Sequence, residues 1–174
     1  MEKTGASRRR ATHHQWAGIT CEGDATIFLE GTNRVKGGEG RYPGIFVGVS
    51  RTLVIQGTGN LEVASQGMGA GIGGGCELDC GNIVIESGSL YVTGGEKAAA
   101  IGGGYGSWCG DITIFGGSIE AHGGKCAAAI GSGSNGTCGD IAISPKAQVV
   151  AVPGRNATDV VGAGFNGSSG TIRT

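Results

Sequence analysis

Four side chains stand out as candidates for ligand binding. Three of them are aromatic, in a 174-residue sequence in which aromatic residues make up only 5%. Tyr105 and Trp108 fall in one predicted corner loop, where they can stack on a sugar ring or on a partner surface. For Trp108 the alternative is a local hydrophobic lid over that corner. Tyr91 and Glu120 occupy equivalent positions in successive copies of a sequence repeat, and we expect them to face solvent side by side.

The nearest approach to a catalytic pair is Glu120 with His122. A glycoside hydrolase or lyase needs clustered carboxylates, or a basic side chain beside a carboxylate, whereas an isolated pair on one strand is typical of a solvated face. Ser-His-Asp triads, phosphate-binding loops and dinucleotide fingerprints are absent from the sequence. We therefore predict a non-enzyme with no catalytic residue and no cofactor.

Three cysteines recur at one position of the repeat, at Cys80, Cys109 and Cys138. Cysteine behaves as a small buried hydrophobe, so a reduced, inward-facing ladder is the first interpretation. Disulfides between neighbours and a metal site are the alternatives. No histidine nearby completes a zinc set, and we predict no metal ligands.

A second ladder follows each Cys-Gly pair and consists of Asn82, Asp111 and Asp140. Stacked carboxylates can bind calcium, which prefers oxygen ligands. Gly-Asn and Gly-Asp are also ordinary corner residues. Turn chemistry is the favoured interpretation of this ladder.

These candidates are placed by a sequence repeat. Ile72, Ile101 and Ile130 each begin an Ile-Gly-x-Gly segment, and a Cys-Gly pair follows each of them at the same offset. Weaker copies start at Ile19, Ile45 and Val161, at spacings that differ slightly from the central one. Self-similarity at a period of about 29 residues indicates stacked structural units, with atypical copies at the ends.

Each central unit contains three short apolar segments separated by glycine pairs, which favours strands joined at sharp corners. In one unit the segments are Ala98–Ile101, Asp111–Ile114 and Ser118–Ala121. The predicted fold is all-β, a three-sided parallel β-solenoid of about six coils, roughly 29 Å long at about 4.8 Å per coil. A β-prism or sandwich is the rival, but it does not explain the equal spacing.

Composition limits the function classes. The chain contains 39 glycines and carries a net charge of −1, so we expect no nucleic-acid partner and no membrane insertion. Residues 1–14 are predicted to be a flexible or capping tail, and residues 15–174 a single domain. The start of the sequence lacks the apolar core of a secretory signal. We expect either a cytoplasmic protein or part of a larger exported chain.

Residues 99–124 resemble repeats of large surface or secreted proteins from gut-associated bacteria. They are also similar to β-helical carbohydrate-binding modules of anaerobes, which share the Gly-Asx-Ile-x-Ile-x-Gly-Gly pattern. The resemblance covers about residues 17–174 and implies an extracellular or cell-surface setting. Those modules bind acidic polysaccharides with calcium, but the Asp-rich corners that hold calcium are absent here.

The function predicted from these observations is non-catalytic binding of a polysaccharide or surface protein. One alternative is a structural spacer or assembly repeat, which associates end to end or continues in a longer chain. Ice binding and polysaccharide lyase activity are further alternatives. The outward positions Val84, Thr113 and Ala142 form no sustained threonine rank, which counts against ice binding.

Overall fold

A computed structural model describes residues 16–174, which form twenty β-strands; the predicted tail over residues 1–14 lies outside the described residues. The strands are β1 (Ile19–Cys21), β2 (Ala25–Leu29), β3 (Thr32–Lys36), β4 (Ile45–Val47), β5 (Thr52–Gly57), β6 (Asn60–Ala64), β7 (Ile72–Gly73), β8 (Asn82–Ile85), β9 (Ser89–Thr93), β10 (Ile101–Gly102), β11 (Trp108–Cys109), β12 (Ile112–Ile114), β13 (Ser118–His122), β14 (Ile130–Gly131), β15 (Thr137–Cys138), β16 (Ile141–Ile143), β17 (Gln148–Val152), β18 (Val161–Gly162), β19 (Ser168–Ser169) and β20 (Ile172–Arg173). Within residues 16–174 no helix is long and apolar enough to cross a membrane.

The strands stack into three long parallel sheets, so the predicted β-solenoid is confirmed. Sheet 1 has the order β1-β4-β7-β10-β14-β18, sheet 2 the order β2-β5-β8-β12-β16-β20, and sheet 3 the order β3-β6-β9-β13-β17. Ile101 pairs with Ile72 on one side and with Ile130 on the other, which is the register that the sequence period predicts. The chain makes about five turns, and sheets 1 and 2 each receive one strand from a sixth.

The core is a set of aliphatic ladders that run along the solenoid axis. Ile83, Ile112 and Ile141 are register partners in sheet 2, and all three are fully buried. Leu90 and Ile119 pair in sheet 3 and are buried in the same way. Each such side chain contributes about 1.5–3 kcal/mol by leaving water. This is how alternate residues of very short strands stabilise a thin core.

Sheet 1 has a shorter strand than predicted in the turn that begins near Ala98. Ala98–Ile101 was expected to form a strand, but β10 begins only at Ile101. The Ala99 N–H donates to Gly103 O at 3.0 Å within its own turn, so it cannot pair with the neighbouring turn. The three alanines are buried outside regular structure.

A fourth, short sheet lies at the corner after sheet 1 and was not predicted. It consists of β11, β15 and β19, in which Trp108, Thr137 and Ser168 are register partners. The predicted corner loop that carries Trp108 is thus partly a strand.

One glycine of the repeat is required by close approach of the backbone. Gly102 has a φ of 130°, and a Cβ atom there would overlap the carbonyl oxygen of Gly131 in the next turn. Its counterpart Gly131 stands in the same relation to Gly162. Glycine at this position lets consecutive turns stack at strand spacing.

Extra residues are absorbed at the corners without changing the strand register. Ile114 to Ile119 takes five steps, whereas the equivalent path from Ile143 to Val149 takes six and passes through Pro145. Ile114 still pairs with Ile143, and Ile119 still pairs with Val149. The longer fifth turn therefore keeps each side chain on its expected face.

Candidate functional site

The predicted Asx ladder links the backbones of successive turns. It consists of Asn82, Asp111 and Asp140. Oδ1 of Asn82 accepts a hydrogen bond from the Asp111 N–H at 2.9 Å, and Oδ1 of Asp111 accepts one from the Asp140 N–H at 2.9 Å. Oδ1 of Asp140 continues the series with the Thr171 N–H at 2.8 Å. The side chain of one turn thus satisfies a backbone donor of the next. No group of three or more metal-ligating side chains occurs among residues 16–174.

The glycine before each Asx residue is explained by the same contact. A Cβ atom on Gly110 would overlap Oδ1 of Asn82, and one on Gly139 would overlap Oδ1 of Asp111. The glycine is needed because the side-chain oxygen of the Asx residue in the preceding turn occupies the space where a Cβ atom would lie.

The cysteine ladder points into the core as free thiols, as the first interpretation predicted. Cys80, Cys109 and Cys138 are buried, and the Cys138 thiol donates to Gly110 O at 3.6 Å. The neighbouring Cys109 thiol and then burial hold the pKa of Cys138 well above its usual value. A buried thiol of this kind is a poor nucleophile and ligand, because both roles require the thiolate.

Tyr105 and Trp108 lie close in sequence but have different surroundings. The Tyr105 ring lies under the Lys97 amine, 5.2 Å from ring centre to nitrogen, and its hydroxyl accepts a hydrogen bond from Asn135 at 3.1 Å. Trp108 is 45% exposed on the short sheet, and its backbone N–H donates to Asp79 Oδ1 at 2.7 Å. Tyr105 is thus held by Lys97 at the start of its own turn and by Asn135 in the next turn, whereas the Trp108 indole remains available.

Tyr91 and Glu120 meet on the outer face of sheet 3, as predicted. They are register partners in β9 and β13, and both side chains point to solvent. Tyr91 is 44% exposed. An open groove on this face, which we call the sheet 3 groove, is lined by Thr32, Asn33, Asn60, Leu61, Glu62, Ser89, Leu90, Tyr91, Ser118 and Glu120. Tyr105 and Trp108 do not line it, so the four candidate residues do not form one site.

His122 connects the two predicted residues of this groove. Its Nε2 lies 2.8 Å from Glu120 Oε1, and its ring lies 5.2 Å from the Tyr91 ring at an angle of 42°. The imidazole therefore holds the glutamate carboxylate beside the tyrosine ring. The three side chains form a compact, partly exposed cluster on two adjacent strands.

Glu62 and Arg34 complete the face and were missed from the sequence. Glu62 pairs with Tyr91 in register and Arg34 pairs with Glu62, which places all three in one column with Glu120. Arg34 donates from Nε at 3.0 Å and from Nη2 at 2.6 Å to Glu62 Oε2. Glu62 lies 29 residues before Tyr91, which is the central period, so the repeat itself places it in this column. Arg34 lies 28 residues before Glu62 and is found only by a direct alignment of β3 with β6.

The column presents one aromatic ring between two carboxylates. Tyr91 lies one strand from Glu62 and one strand from Glu120, which is about 4.8 Å along the axis in each direction. An exposed phenol offers an apolar face with a polar tip, and each carboxylate accepts strong hydrogen bonds. Such an arrangement can bind a molecule that has an apolar ring face and hydroxyl groups at its edges.

Comparison with known proteins supports the architecture. A family model described as "Beta helix repeat" matches three segments, residues 53–76, 83–105 and 112–134. These segments begin at Leu53, Ile83 and Ile112, which are register partners in sheet 2. No curated protein and no solved structure matches the chain. The chain contains β-helix repeats, and each matched segment begins at the same point of a turn.

Proposed function

We propose that this chain is a non-catalytic module that binds a glycan in the sheet 3 groove, in an extracellular or cell-surface setting. The observation that carries the proposal is the exposed Tyr91 ring between the carboxylates of Glu62 and Glu120. A pyranose ring has C–H faces that stack on an aromatic ring and hydroxyls that need hydrogen-bond acceptors. The groove supplies both kinds of contact in one column.

The setting of the two carboxylates supports binding over hydrolysis. A glycosidase general acid must keep its proton near neutral pH, which an apolar, buried environment provides. The side chains of Glu62 and Glu120 are 40% and 50% exposed, and each lies against a basic side chain. Neither carboxylate therefore has the apolar, buried environment that a general acid requires.

A Tyr91→Ala variant tests the proposal on a glycan array and then by titration calorimetry. We expect it to lose at least tenfold in affinity for any glycan that the wild-type protein binds, since the stacking contact is removed. Phe115→Ala is the matched control, because Phe115 is 55% exposed but lies just beyond the end of a sheet 2 strand. Equal affinity of Tyr91→Ala and wild type would disprove this site.

The lyase or hydrolase alternative is tested with the same protein. Incubation with polyuronates and neutral polysaccharides would then release reducing ends or unsaturated sugars, and Glu120→Gln would abolish that release. Release of product by the wild-type protein and not by Glu120→Gln would replace the binding function with a catalytic one.

A second candidate function is assembly, in which this chain associates end to end or continues in a longer chain. Val160, Phe165 and Ile172 are exposed apolar side chains in the last turn, and β18, β19 and β20 are each paired on one side only. Open strand edges pair readily with another chain. If this end mediates association, sedimentation will show concentration-dependent growth that Ile172→Lys suppresses.

A further inference from the structure

We infer that the sheet 3 groove selects an uncharged glycan lying along the solenoid axis and rejects polyuronates. This inference rests on the proposed function and adds the ligand class. It differs from what the resemblance to modules for acidic polysaccharides implies. Three features carry it: the charges of the groove, the partners of its neighbouring basic side chains and the direction of the column.

The groove is negatively charged where the ligand would lie. Its lining residues in the described chain include two carboxylates, Glu62 and Glu120, and no lysine, arginine or histidine. A uronate chain carries one carboxylate on every sugar. It would bring like charges against both glutamates, which is unfavourable.

The two basic side chains beside the groove are already engaged. Arg34 directs Nε and Nη2 toward Glu62 Oε2, and His122 Nε2 lies against Glu120 Oε1. A ligand carboxylate could use either side chain only by competing with a protein carboxylate. A sugar hydroxyl needs no such exchange, because it donates to a glutamate oxygen while the existing pair stays in place.

The polar row beside the column is neutral as well. Thr32, Asn60, Ser89 and Ser118 are register partners on the same outer face, and all four line the groove. Hydroxyl and amide side chains both donate and accept. They match the mixed donor and acceptor character of sugar hydroxyls.

The direction of the column sets the direction of the ligand. Arg34, Glu62, Tyr91 and Glu120 succeed one another across the strands, so the groove runs parallel to the axis. The two glutamates lie two strand spacings apart, about 9.6 Å. An extended chain of flat sugars can place one ring on Tyr91 and hydroxyls of the same or adjacent rings on each glutamate.

The test uses the whole chain and hexasaccharides of β-1,4-linked glucose, xylose and mannose and of galacturonic acid in titration calorimetry. We expect at least one neutral hexasaccharide to bind at least tenfold more tightly than the galacturonate, with little dependence on salt. Salt screens charge contacts between exposed groups, so a neutral ligand is largely insensitive to it. Tighter binding of galacturonate by the wild type would overturn the inference.

Glu120→Lys tests whether the negative charge of Glu120 causes the rejection of polyuronates, with Glu120→Gln as its charge-neutral control. Glu120→Gln should weaken the neutral ligand about tenfold, because a charged acceptor is lost. Glu120→Lys should in addition create salt-sensitive binding of galacturonate. Failure of Glu120→Lys to bind galacturonate while it keeps the wild-type melting temperature would contradict the charge argument.

The outcomes separate the two proposals. Binding of galacturonate alone, lost in Tyr91→Ala, would leave glycan binding at this site standing and refute the neutral class. Binding of none of the four hexasaccharides, together with no hit on the glycan array, would refute both.

Discussion

The carboxylate of Asp111 lies 2.9 Å from the backbone nitrogen of Asp140, the residue at the same position one turn later. The hydrogen bond satisfies a donor at the corner where sheet 2 begins. The same oxygen occupies the space that a side chain at position 139 would need. Two recurring features of the repeat, the glycine and the Asx residue, therefore depend on each other across turns.

Gly139→Ala should lower the free energy of unfolding, because an added methyl group overlaps Asp111 Oδ1 and must displace that carboxylate from the Asp140 N–H or shift its neighbours. Overpacking of this kind costs about 1–3 kcal/mol, and urea denaturation measures the change. Gly23→Ala is the matched control, since nothing lies within 4 Å of a Cβ at that glycine. Equal stability of the two variants would show that the cross-turn contact is not restrictive.

Asp111→Ala should cost about 1 kcal/mol, because the Asp140 N–H loses its acceptor. Asp111→Asn should be nearly neutral, since Asn82 makes the equivalent bond one turn earlier. In the Asp111→Ala background Gly139→Ala should cost less than it does alone, because the overlapping oxygen is gone. Strictly additive effects in this double-mutant cycle would contradict the coupling.

Alkaline pH should destabilise the protein through the buried thiol of Cys138. The neighbouring Cys109 thiol and burial raise the pKa of Cys138 in the folded state, whereas an unfolded thiol ionises near pH 8.5. Above that pH the unfolded chain loses a proton that the folded chain keeps, so the free energy of unfolding falls as the pH rises.

Thermal melting from about pH 7 to about pH 10 tests this dependence, because the range brackets the ionisation of an unfolded thiol. Cys138→Ala should show a shallower decline in melting temperature than the wild type, whatever its stability at neutral pH. Cys126→Ala is the control, because Cys126 is only partly buried at a corner. A decline of equal slope in wild type and Cys138→Ala would exclude this thiol as the cause.

Tyr105→Ala and Trp108→Ala should differ in stability although the residues are close in sequence. Tyr105→Ala loses the contact with Lys97 and the hydrogen bond from Asn135, at a combined cost of about 1.5–2 kcal/mol. Trp108→Ala should cost about 0.5 kcal/mol or less, as for an exposed surface residue. Urea denaturation measures both values.

The same two variants test whether the corner after sheet 1 takes part in glycan binding. The sheet 3 groove alone predicts wild-type affinity for Trp108→Ala in titration calorimetry. A loss of affinity at unchanged stability would extend the binding surface to the short sheet.

The sequence was sufficient for the architecture because one constraint governs every turn. Ile72, Ile101 and Ile130 must fill the same place in a stack of equal turns, so their spacing determined the register. The short sheet at Trp108 could not be predicted, because two-residue strands have too few alternating positions to form a pattern. The Ala98–Ile101 segment is not a full strand, because the Ala99 N–H bonds within its own turn and not to the neighbouring one.

Two of the four residues in the column, Tyr91 and Glu120, were predicted from the sequence. Tyr91 and Glu120 lie in nearly identical repeats, so their pairing followed from the period. Glu62 lies 29 residues before Tyr91, so the period also places it in this column, whereas Arg34 lies 28 residues before Glu62 and is out of step by one. Contacts such as the imidazole of His122 against Glu120 depend on side-chain conformations that a repeat does not specify.

The six-step corner through Pro145 shows that an inserted residue alters a loop and leaves the register of the strands on either side unchanged. The place of a side chain on the solenoid is therefore set by its strand and by its register position in that strand, and not by its distance along the chain. Peptides could be grafted at Pro145 and Lys146 without disturbing the column of Tyr91. The solvent-facing residues of sheet 3 could equally be substituted one at a time, with the buried residues unchanged.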